Sequence, residues 1–279
     1  MIQPFAEPDV GAVAGNVKVG NRRSLLAAWQ HIEYVIGFNL DRRLYDTLRC
    51  IPTVAGAIGA YRRSAVLQSG GLSHDTLAED TDLTIALHRA GWQVAYQEYA
   101  RGWTEAPTTL RQLWSQRYRW CYGIMQALWK HRHALIERGH AGRFGRRGLP
   151  LLALFGIVLP LLGPLIDIMA GYGMVFFDPV KTAAAWLGML ALQSITAIFA
   201  FRLDRERLAP LWALPLQQLV YRQLMYLVLV QSLITALTGS RLRWHKLRRT
   251  GHARPQHGAL APTGAHPAEL AESPPRAGT

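Results

Sequence analysis

Long apolar runs occupy the second half of this chain of 279 residues. Residues 149–177 contain one charged side chain, Asp167, and residues 182–201 contain none. Each run predicts a membrane-spanning helix, because roughly 20 apolar residues suffice to cross a bilayer. Region 208–238 is also apolar, but it carries Arg222 near its middle and Pro215 before it. It predicts either a third span preceded by an interfacial helix or a segment lying in the interface throughout.

Strand-like and helix-like patterns alternate through the first half, which predicts an α/β fold. Residues 10–19 are small and β-branched, typical of a buried strand, and we expect this strand to run on into a loop at Asn16. Ser24 is expected to begin a helix that continues to about Leu40. Its predicted apolar side comprises Leu25, Ala28, Trp29, Ile32 and Ile36. The pattern also predicts strands over 51–61 and 92–99, a turn at Gly70 and Gly71, and a helix over 83–90.

A further helix is predicted to begin after Pro107, where Thr108 and Thr109 are the start signal. Its predicted buried stripe comprises Leu110, Leu113, Trp114, Cys121, Ile124 and Leu128. Gln116, Arg119 and Trp120 fall at i, i+3 and i+4, so they share a second face. An amide, a guanidinium and an indole on one face suit a ligand that carries both phosphate and sugar. The same spacing also fits an amphipathic helix whose Arg and Trp side chains lie at a membrane interface.

Two short stretches admit both a structural and a functional interpretation. Glu79, Asp80 and Asp82 stand at a predicted helix start, where acids ordinarily cap the helix and complement its dipole. Gly56 and Gly59 would let a ligand approach the backbone closely, and they fit tight strand packing equally well.

Positive charge is concentrated beside the apolar runs. Lys and Arg exceed Asp and Glu by 13, although only 18% of residues are charged. Basic residues precede the first run and follow the second and third, whereas only Lys181 lies between the first two. The positive-inside rule therefore places the N-terminal half in the cytoplasm and the Lys181 loop outside, and it favours a cytoplasmic tail. Since membrane flanks account for the charge, nucleic-acid binding is not expected.

The ends of the chain and its cysteines add three expectations. The N-terminus lacks the basic-then-apolar pattern of a signal peptide, so insertion would be led by the first internal span. Cys50 and Cys121 are too few for a disulfide framework or a metal site, which fits a reducing compartment. Residues 251–279 are rich in Ala, Pro, Gly and His without apolar periodicity, and we expect them to be disordered.

Three features in one order carry a family resemblance. They are the acid pair Glu79-Asp80, the Gln116-x-x-Arg119-Trp120 spacing on the next helix, and the paired apolar runs that follow. This arrangement resembles the membrane-embedded processive synthases of glycosyltransferase family 2, which make cellulose, hyaluronan, chitin and poly-N-acetylglucosamine. The stretches at 54–62 and 244–251 are most similar to the poly-β-1,6-N-acetylglucosamine synthase type.

The resemblance implies a role for each matching residue. Asp80 would be the general base and Glu79 its neighbour in the acid pair, while Gln116 and Arg119 would lie near the donor pyrophosphate. Trp120 would lie against the acceptor sugar, and Gly56 and Ala57 would contact substrate. Inverting transfer needs a carboxylate to take the proton of the attacking hydroxyl and cationic donors to stabilise the departing diphosphate. The family usually has Thr before the acid pair where this chain has Ala78, which is expected to alter fine positioning only.

The resemblance also implies a partial catalytic domain. The family's nucleotide-binding half contains an Asp-x-Asp metal motif, whereas the one such triplet before the apolar runs here is Asp80-Thr81-Asp82, in the base position. We therefore expect a C-terminal, glycosyltransferase-A-like (Rossmann-like) half-domain with an interfacial helix at 1–147, a transmembrane region at 148–250 and a tail at 251–279. The Mg²⁺ or Mn²⁺ expected for the complete enzyme would be bound outside this chain, and no metal site is expected here.

Three functional hypotheses follow. The first is inverting transfer of N-acetylglucosamine or another hexose from a UDP-sugar to a growing polysaccharide at the inner face of the cell membrane, with export between the spans. This hypothesis leaves room for a small membrane partner subunit. The second is a catalytically silent membrane fragment or partner subunit. The third is an interfacial membrane protein whose basic flanks bind anionic membrane lipid.

Overall fold

The computed structural model describes residues 1–239, apart from the side chain at position 141. The predictions for 244–251 and for the tail lie outside these residues. Three strands are present in this part of the chain: β1 (Val10–Val19), β2 (Gly59–Tyr61) and β3 (Gln93–Thr104). The α-helices are α1 (Leu25–Val35), α2 (Asp41–Thr47), α3 (Arg63–Gln68), α4 (Glu79–Arg89), α5 (Leu110–Lys130), α6 (Gly139–Ala153), α7 (Leu159–Phe176), α8 (Pro179–Leu203), α9 (Leu214–Leu216) and α10 (Arg222–Thr238).

Strand β1 lies in the centre of the sheet and is buried at every position. It pairs with β3 in parallel and with β2 antiparallel, and its pairing partner shifts from Gln97 at Gly15 to Arg101 at Asn16. The predicted loop at Asn16 is wrong, because the strand continues to Val19. The Asn16 amide can stay inside the sheet since it donates a hydrogen bond of 2.8 Å to the Asp204 carboxylate, far along the chain.

The predicted strand over 51–61 is mostly wrong. Only Gly59–Tyr61 joins the sheet, because side chains bind the preceding backbone: the Thr84 hydroxyl accepts from Val54 N at 2.9 Å. Gly56 and Gly59 differ in whether they fit tight strand packing or close approach of a ligand. A Cβ at Gly59 would lie 2.5 Å from Val54 Cγ1, which is tight packing, whereas a Cβ at Gly56 would meet nothing within 4 Å.

The helix predicted from Ser24 to about Leu40 is confirmed and continues further. The Ser24 hydroxyl caps α1 by accepting from Ala27 N at 3.2 Å, and a π-helical turn over Ile36–Leu40 leads directly into α2. Thr109 likewise caps α5, as predicted. The predicted burial of Leu110 is wrong, because this first helical residue is 57% exposed. Helix α5 instead buries Leu113, Gln116, Arg117, Tyr118, Tyr122, Gly123 and Ala127, since it is packed on more than one side.

In the described part of the chain, three helical stretches are long and apolar enough to cross a membrane: Gly142–Phe176, Pro179–Leu203 and Ala209–Thr238. The third packs along α5, where Trp114 Nε1 donates to the Gln231 amide oxygen at 2.6 Å. Two of the charged residues inside these stretches pair with each other, since Arg222 forms an ion pair with Asp167. Gln223 Nε2 also donates to Asp167, at 2.6 Å. This polar contact joins the first and third stretches.

A buried polar network joins β1 to the end of α8. Lys18, which is 1% exposed, forms an ion pair with Asp204 and lies 3.4 Å from Glu206. Arg22 completes the network by bonding to Glu206 at 2.9 Å. The sequence analysis noted the basic residues that follow the second apolar run, but the acids between them, Asp204 and Glu206, are the ones that point inward. The sheet is thereby tied to the second apolar helix.

We expect Lys18→Met to destabilise the protein by about 3–5 kcal/mol, because it leaves the Asp204 carboxylate buried without its cation. This corresponds to a melting temperature lower by roughly 6–20 °C, measured by thermal unfolding in mild detergent. The matched control is Lys181→Met, since Lys181 is 86% exposed and its ion pair with Asp178 is screened by solvent and should contribute little to stability. Equal melting temperatures for the two variants would contradict a stabilising role for the network.

Candidate active site

Asp80 lies in the first turn of α4, with its carboxylate directed across to a neighbouring loop. One carboxylate oxygen accepts from Thr81 N at 2.8 Å, and the other accepts from Gly56 N at 3.3 Å. Burial raises the pKa of this carboxyl above its ordinary value, against the opposing effect of these hydrogen bonds and of the Arg42 charge. A carboxylate with a raised pKa that remains partly accessible can accept a proton from a bound hydroxyl.

The other two acids of the cluster have different environments. Glu79 is exposed. Asp82 is 2% exposed and accepts from Lys130 Nζ at 2.8 Å and from His131 Nε2 at 2.7 Å. Burial alone would raise the pKa of Asp82, but the bonds from His131 and Lys130 lower it. Helix capping therefore does not explain all three acids. Asp82 connects α4 to the end of α5, and Asp80 accepts a hydrogen bond from the loop that contains Gly56, here called the Gly56 loop.

Helix α5 lies directly against the segment that carries the acid pair. A Cβ added at Gly123 would fall 2.5 Å from Ala78 N, so the helix and this backbone are in the closest possible contact. The Gln126 amide oxygen also accepts from Leu77 N at 2.9 Å. The structure thus brings the two predicted motifs together, the acid pair and the Gln-x-x-Arg-Trp helix.

Trp120 belongs to an aromatic cluster in the first half of the chain. Its ring centroid lies 6.3 Å from that of Tyr34 and 6.3 Å from that of Phe38. The Arg117 guanidinium lies 4.4 Å from the centre of the indole and is held by an ion pair of 2.8 Å with Glu33. These contacts hold the Trp120 ring within the first half of the chain and determine its orientation.

Gln116 and Arg119 keep free hydrogen-bonding capacity. Gln116 is 8% exposed, yet its amide oxygen has no partner among the described residues. Arg119 is partly buried, and its guanidinium makes no ion pair or hydrogen bond within residues 1–239. Buried polar atoms in proteins are nearly always hydrogen-bonded, so unpaired groups of this kind suit a bound polar ligand.

Phe38 and Arg42 connect the two halves of this site, and sequence reasoning missed both. Arg42 is 8% exposed; its guanidinium lies 5.6 Å from the centre of the Phe38 ring, and its charge stabilises the Asp80 carboxylate. Phe38 in turn meets the Trp120 ring edge-on, at 83°. A signal for Arg42 in the sequence is the polar and basic stretch 41–49, whereas Phe38 lies in the π-helical turn over Ile36–Leu40, which local sequence patterns do not predict.

The Gly56 loop lies between Asp80 and the aromatic cluster. Gly56 and Ala57 are exposed, and their neighbours Ala55 and Ile58 pack against the buried cluster that also supports Trp120. A ligand can therefore approach Gly56 closely, as one of the two interpretations of this glycine required. Within residues 1–239, no group of three or more His, Cys, Asp or Glu side chains is arranged to hold a metal ion. The residues around Asp80 do not fit a divalent cation.

Comparison with known proteins places this arrangement in a family. Poly-beta-1,6-N-acetyl-D-glucosamine synthases of Staphylococcus aureus (strain COL) and Staphylococcus epidermidis (strain ATCC 35984) are 34% and 32% identical to the chain over 129 residues. The match covers 46% of this chain and 31% of each synthase, so the chain matches about a third of the length of these relatives. A mannosyltransferase of Pyrobaculum calidifontis, solved with GDP-mannose and Mn²⁺, has a TM-score of 0.48 at 18% identity, covering 78% of this chain and 56% of that one.

The family model described as "Glycosyl transferase family group 2" matches residues 2–238, which include the sheet, the acid pair, α5 and all three apolar stretches. The predicted α/β glycosyltransferase fold is thereby confirmed, as is the resemblance to synthases of the poly-N-acetylglucosamine type. The chain belongs to glycosyl transferase family group 2.

Proposed function

We propose that this chain supplies the acceptor side of a membrane-bound, inverting glycosyltransferase. The reaction transfers N-acetylglucosamine from a UDP-sugar to a growing β-linked polysaccharide at the inner face of the cell membrane. Similarity to the staphylococcal synthases supports the sugar and the polymer. The observation that carries the proposal is the Asp80 carboxylate, which is held by two backbone amides beside a helix whose buried Gln116 amide oxygen has no partner among the described residues.

Asp80 is the base in this mechanism. It takes the proton of the attacking acceptor hydroxyl while that oxygen bonds to the anomeric carbon and the bond to the diphosphate breaks. Burial, by raising the pKa of Asp80, strengthens it as a proton acceptor. Glu79, the exposed member of the acid pair, adds negative charge next to Asp80 and also opposes its ionisation.

The α5 residues bind the two substrates. Arg119 and the Gln116 amide face the diphosphate and stabilise the charge that develops on it as it departs. Trp120 presents a flat apolar ring to the acceptor sugar, which a sliding polymer needs. Gly56 and Ala57 allow substrate to approach the backbone next to Asp80. Mg²⁺ or Mn²⁺ would neutralise the diphosphate in the complete enzyme, but we assign no metal ligand to residues 1–239 because none of their arrangements fits one.

The membrane arrangement is part of the proposal. Residues 1–147 form the cytoplasmic catalytic part, the described residues from 148 to 239 belong to the membrane region, and the polymer leaves between the apolar helices. The basic residues before the first apolar stretch support a cytoplasmic N-terminal half. The three helical stretches of 35, 25 and 30 residues support several crossings.

Incorporation of labelled sugar tests the function. Membranes containing this chain together with the donor-binding half of a family synthase, which carries the Asp-x-Asp motif, are given radiolabelled UDP-N-acetylglucosamine, with UDP-glucose and GDP-mannose as donor controls. We expect a high-mass product from the first donor alone, degradable by a hexosaminidase specific for β-1,6 linkages. Absence of product from every donor would favour a silent membrane fragment or a partner subunit over an active enzyme.

Arg42 should set the lower pH limit of this activity. The Arg42 cation lowers the pKa of Asp80, so Arg42→Gln lets that pKa rise. Since the base must be deprotonated, we expect the acid limb of kcat/KM to move to higher pH, with a larger loss of activity at pH 5.5 than at pH 8. Arg43→Gln is the matched control, because the adjacent Arg43 pairs with Glu98 instead. An identical pH profile in wild type and Arg42→Gln would show that Arg42 does not influence the pKa of the base.

A further inference from the structure

A cavity of about 340 Å³ lies at the opposite end of α4 from Asp80. It is bounded by the end of α2, the start of β3 and the first turns of α6. Asp80 and His88 are eight residues apart on one helix, which separates the cavity from the base by about 12 Å along the axis. The cavity is therefore distinct from the candidate active site.

Positive charge dominates the cavity wall. Arg49, Arg143 and Arg147 all line it, together with His140, and no acidic residue does so among the described residues. The three guanidinium groups make no ion pair and no side-chain hydrogen bond within residues 1–239. The nearby Glu137 carboxylate is already occupied by Arg89. Arg49, Arg143 and Arg147 are exposed side chains on one cavity wall without an acidic partner among the described residues, and such a wall suits a bound anion.

The rest of the wall is rigid and uncharged. The His88 ring stacks on the Phe144 ring with centroids 4.2 Å apart, and His88 Nε2 lies 2.9 Å from the Ile51 carbonyl oxygen. Burial lowers the pKa of His88 to about 4, so this ring is neutral at physiological pH. Arg49 has a φ of 52°, in the left-handed region that non-glycine residues rarely adopt. This conformation closes the end of α2, where Arg49 N donates to the Asp46 carbonyl oxygen at 2.8 Å and Cys50 N to the Tyr45 carbonyl oxygen at 2.9 Å, and Arg49 there lines the cavity.

The cavity also has a defined place relative to the apolar helices. Arg143 and Arg147 stand on α6, just before the apolar run that begins at Leu149 and inside the helical stretch Gly142–Phe176, which is long and apolar enough to cross a membrane. If that stretch crosses the bilayer, the cavity opens at the depth of the lipid headgroups.

We propose that this cavity is a binding site for a phosphate group, supplied by the headgroup of an anionic phospholipid or by a soluble phosphate ester. Guanidinium groups fork onto phosphate oxygens, and three of them from two elements can surround one phosphate. Binding there would link α2 and α6, and so attach the catalytic part to the start of the first apolar helix. The site is independent of glycosyl transfer.

The test uses the full chain purified in a mild uncharged detergent. Phosphatidylglycerol, phosphatidylcholine, glycerol 3-phosphate and inorganic phosphate are titrated separately, and retained ligand is counted by native mass spectrometry alongside thermal shift. We expect one saturable phosphatidylglycerol per chain and none for phosphatidylcholine. Comparable affinity for glycerol 3-phosphate would identify a soluble ester as the ligand, whereas weaker binding would identify the lipid.

Variants distinguish a site with defined binding residues from non-specific electrostatic attraction of anions to the basic surface. Arg143→Gln and Arg147→Gln together, and Arg49→Gln separately, should each weaken binding at least tenfold. Arg146→Gln is the matched control, since this arginine of the same helix is exposed like Arg143 and Arg147 but lies outside the cavity and donates to the Glu137 carbonyl. It should change the affinity less than threefold. Equal losses for Arg146→Gln and the cavity variants, or no saturable binding of any phosphate compound, would overturn the proposal.

Discussion

Asp80→Asn should reduce sugar transfer by about 10²–10⁴-fold while the protein folds normally, as expected when a general base is removed. The Asn amide has one acceptor oxygen where the carboxylate has two, so it can keep the shorter hydrogen bond from Thr81 N, at 2.8 Å, and gives up the longer one from Gly56 N, at 3.3 Å. What is lost is the ability to take a proton. The loss should appear in kcat, measured by initial rates of labelled polymer formation in membranes matched for protein level.

Two neighbouring acids serve as controls for this substitution. Glu79→Gln removes an exposed charge next to Asp80 and should lower the rate less than tenfold. Asp75→Asn alters a carboxylate that is 70% exposed and bonded to Lys130, and it should leave the rate nearly unchanged. Activity that survives Asp80→Asn would remove the base assignment, and with it the observation on which the proposed function depends.

Gly123→Ala should lower activity by about 100-fold, because roughly 1 Å of misplacement at a catalytic site has an effect of that size. The new methyl group would meet Ala78 N at 2.5 Å, and this contact involves backbone that cannot rotate away. Either α5 or the start of α4 must move. The geometry between Asp80 and Trp120 changes with it. Overpacking of this kind also destabilises a protein by about 1–3 kcal/mol.

Gly37→Ala is the matched control for Gly123→Ala. Gly37 also lies in a helical turn, but the nearest atom to an added Cβ is Asp41 Oδ2, at 3.9 Å. This variant should retain activity and stability. Kinetics and thermal unfolding of both variants are compared in the same membranes and detergent. Wild-type activity in Gly123→Ala would show that the contact between α5 and the acid-pair segment is not needed for catalysis.

The helix termini and the apolar stretches could be predicted well because their signals are local. Ser24 and Thr109 cap helices where their hydroxyls predicted it, and three stretches are long and apolar enough to cross a membrane. Burial and strand pairing were predicted less well because they depend on distant partners. The Asn16 amide stays inside a strand only because Asp204 returns from the end of α8 to accept its hydrogen bond.

The sequence by itself determined the family and the residues with candidate chemistry, since Glu79-Asp80 and Gln116-x-x-Arg119-Trp120 are short spacings that can be read along the chain. Only the tertiary structure distinguished Asp80, which reaches Gly56, from Asp82, which is occupied by Lys130 and His131. The tertiary structure also showed that the Arg42 charge acts on Asp80 and that the Arg117 guanidinium lies over the Trp120 ring. The physical reason is that pKa, burial and ring orientation are determined by groups that meet through space, and spacing along a chain does not specify these neighbours.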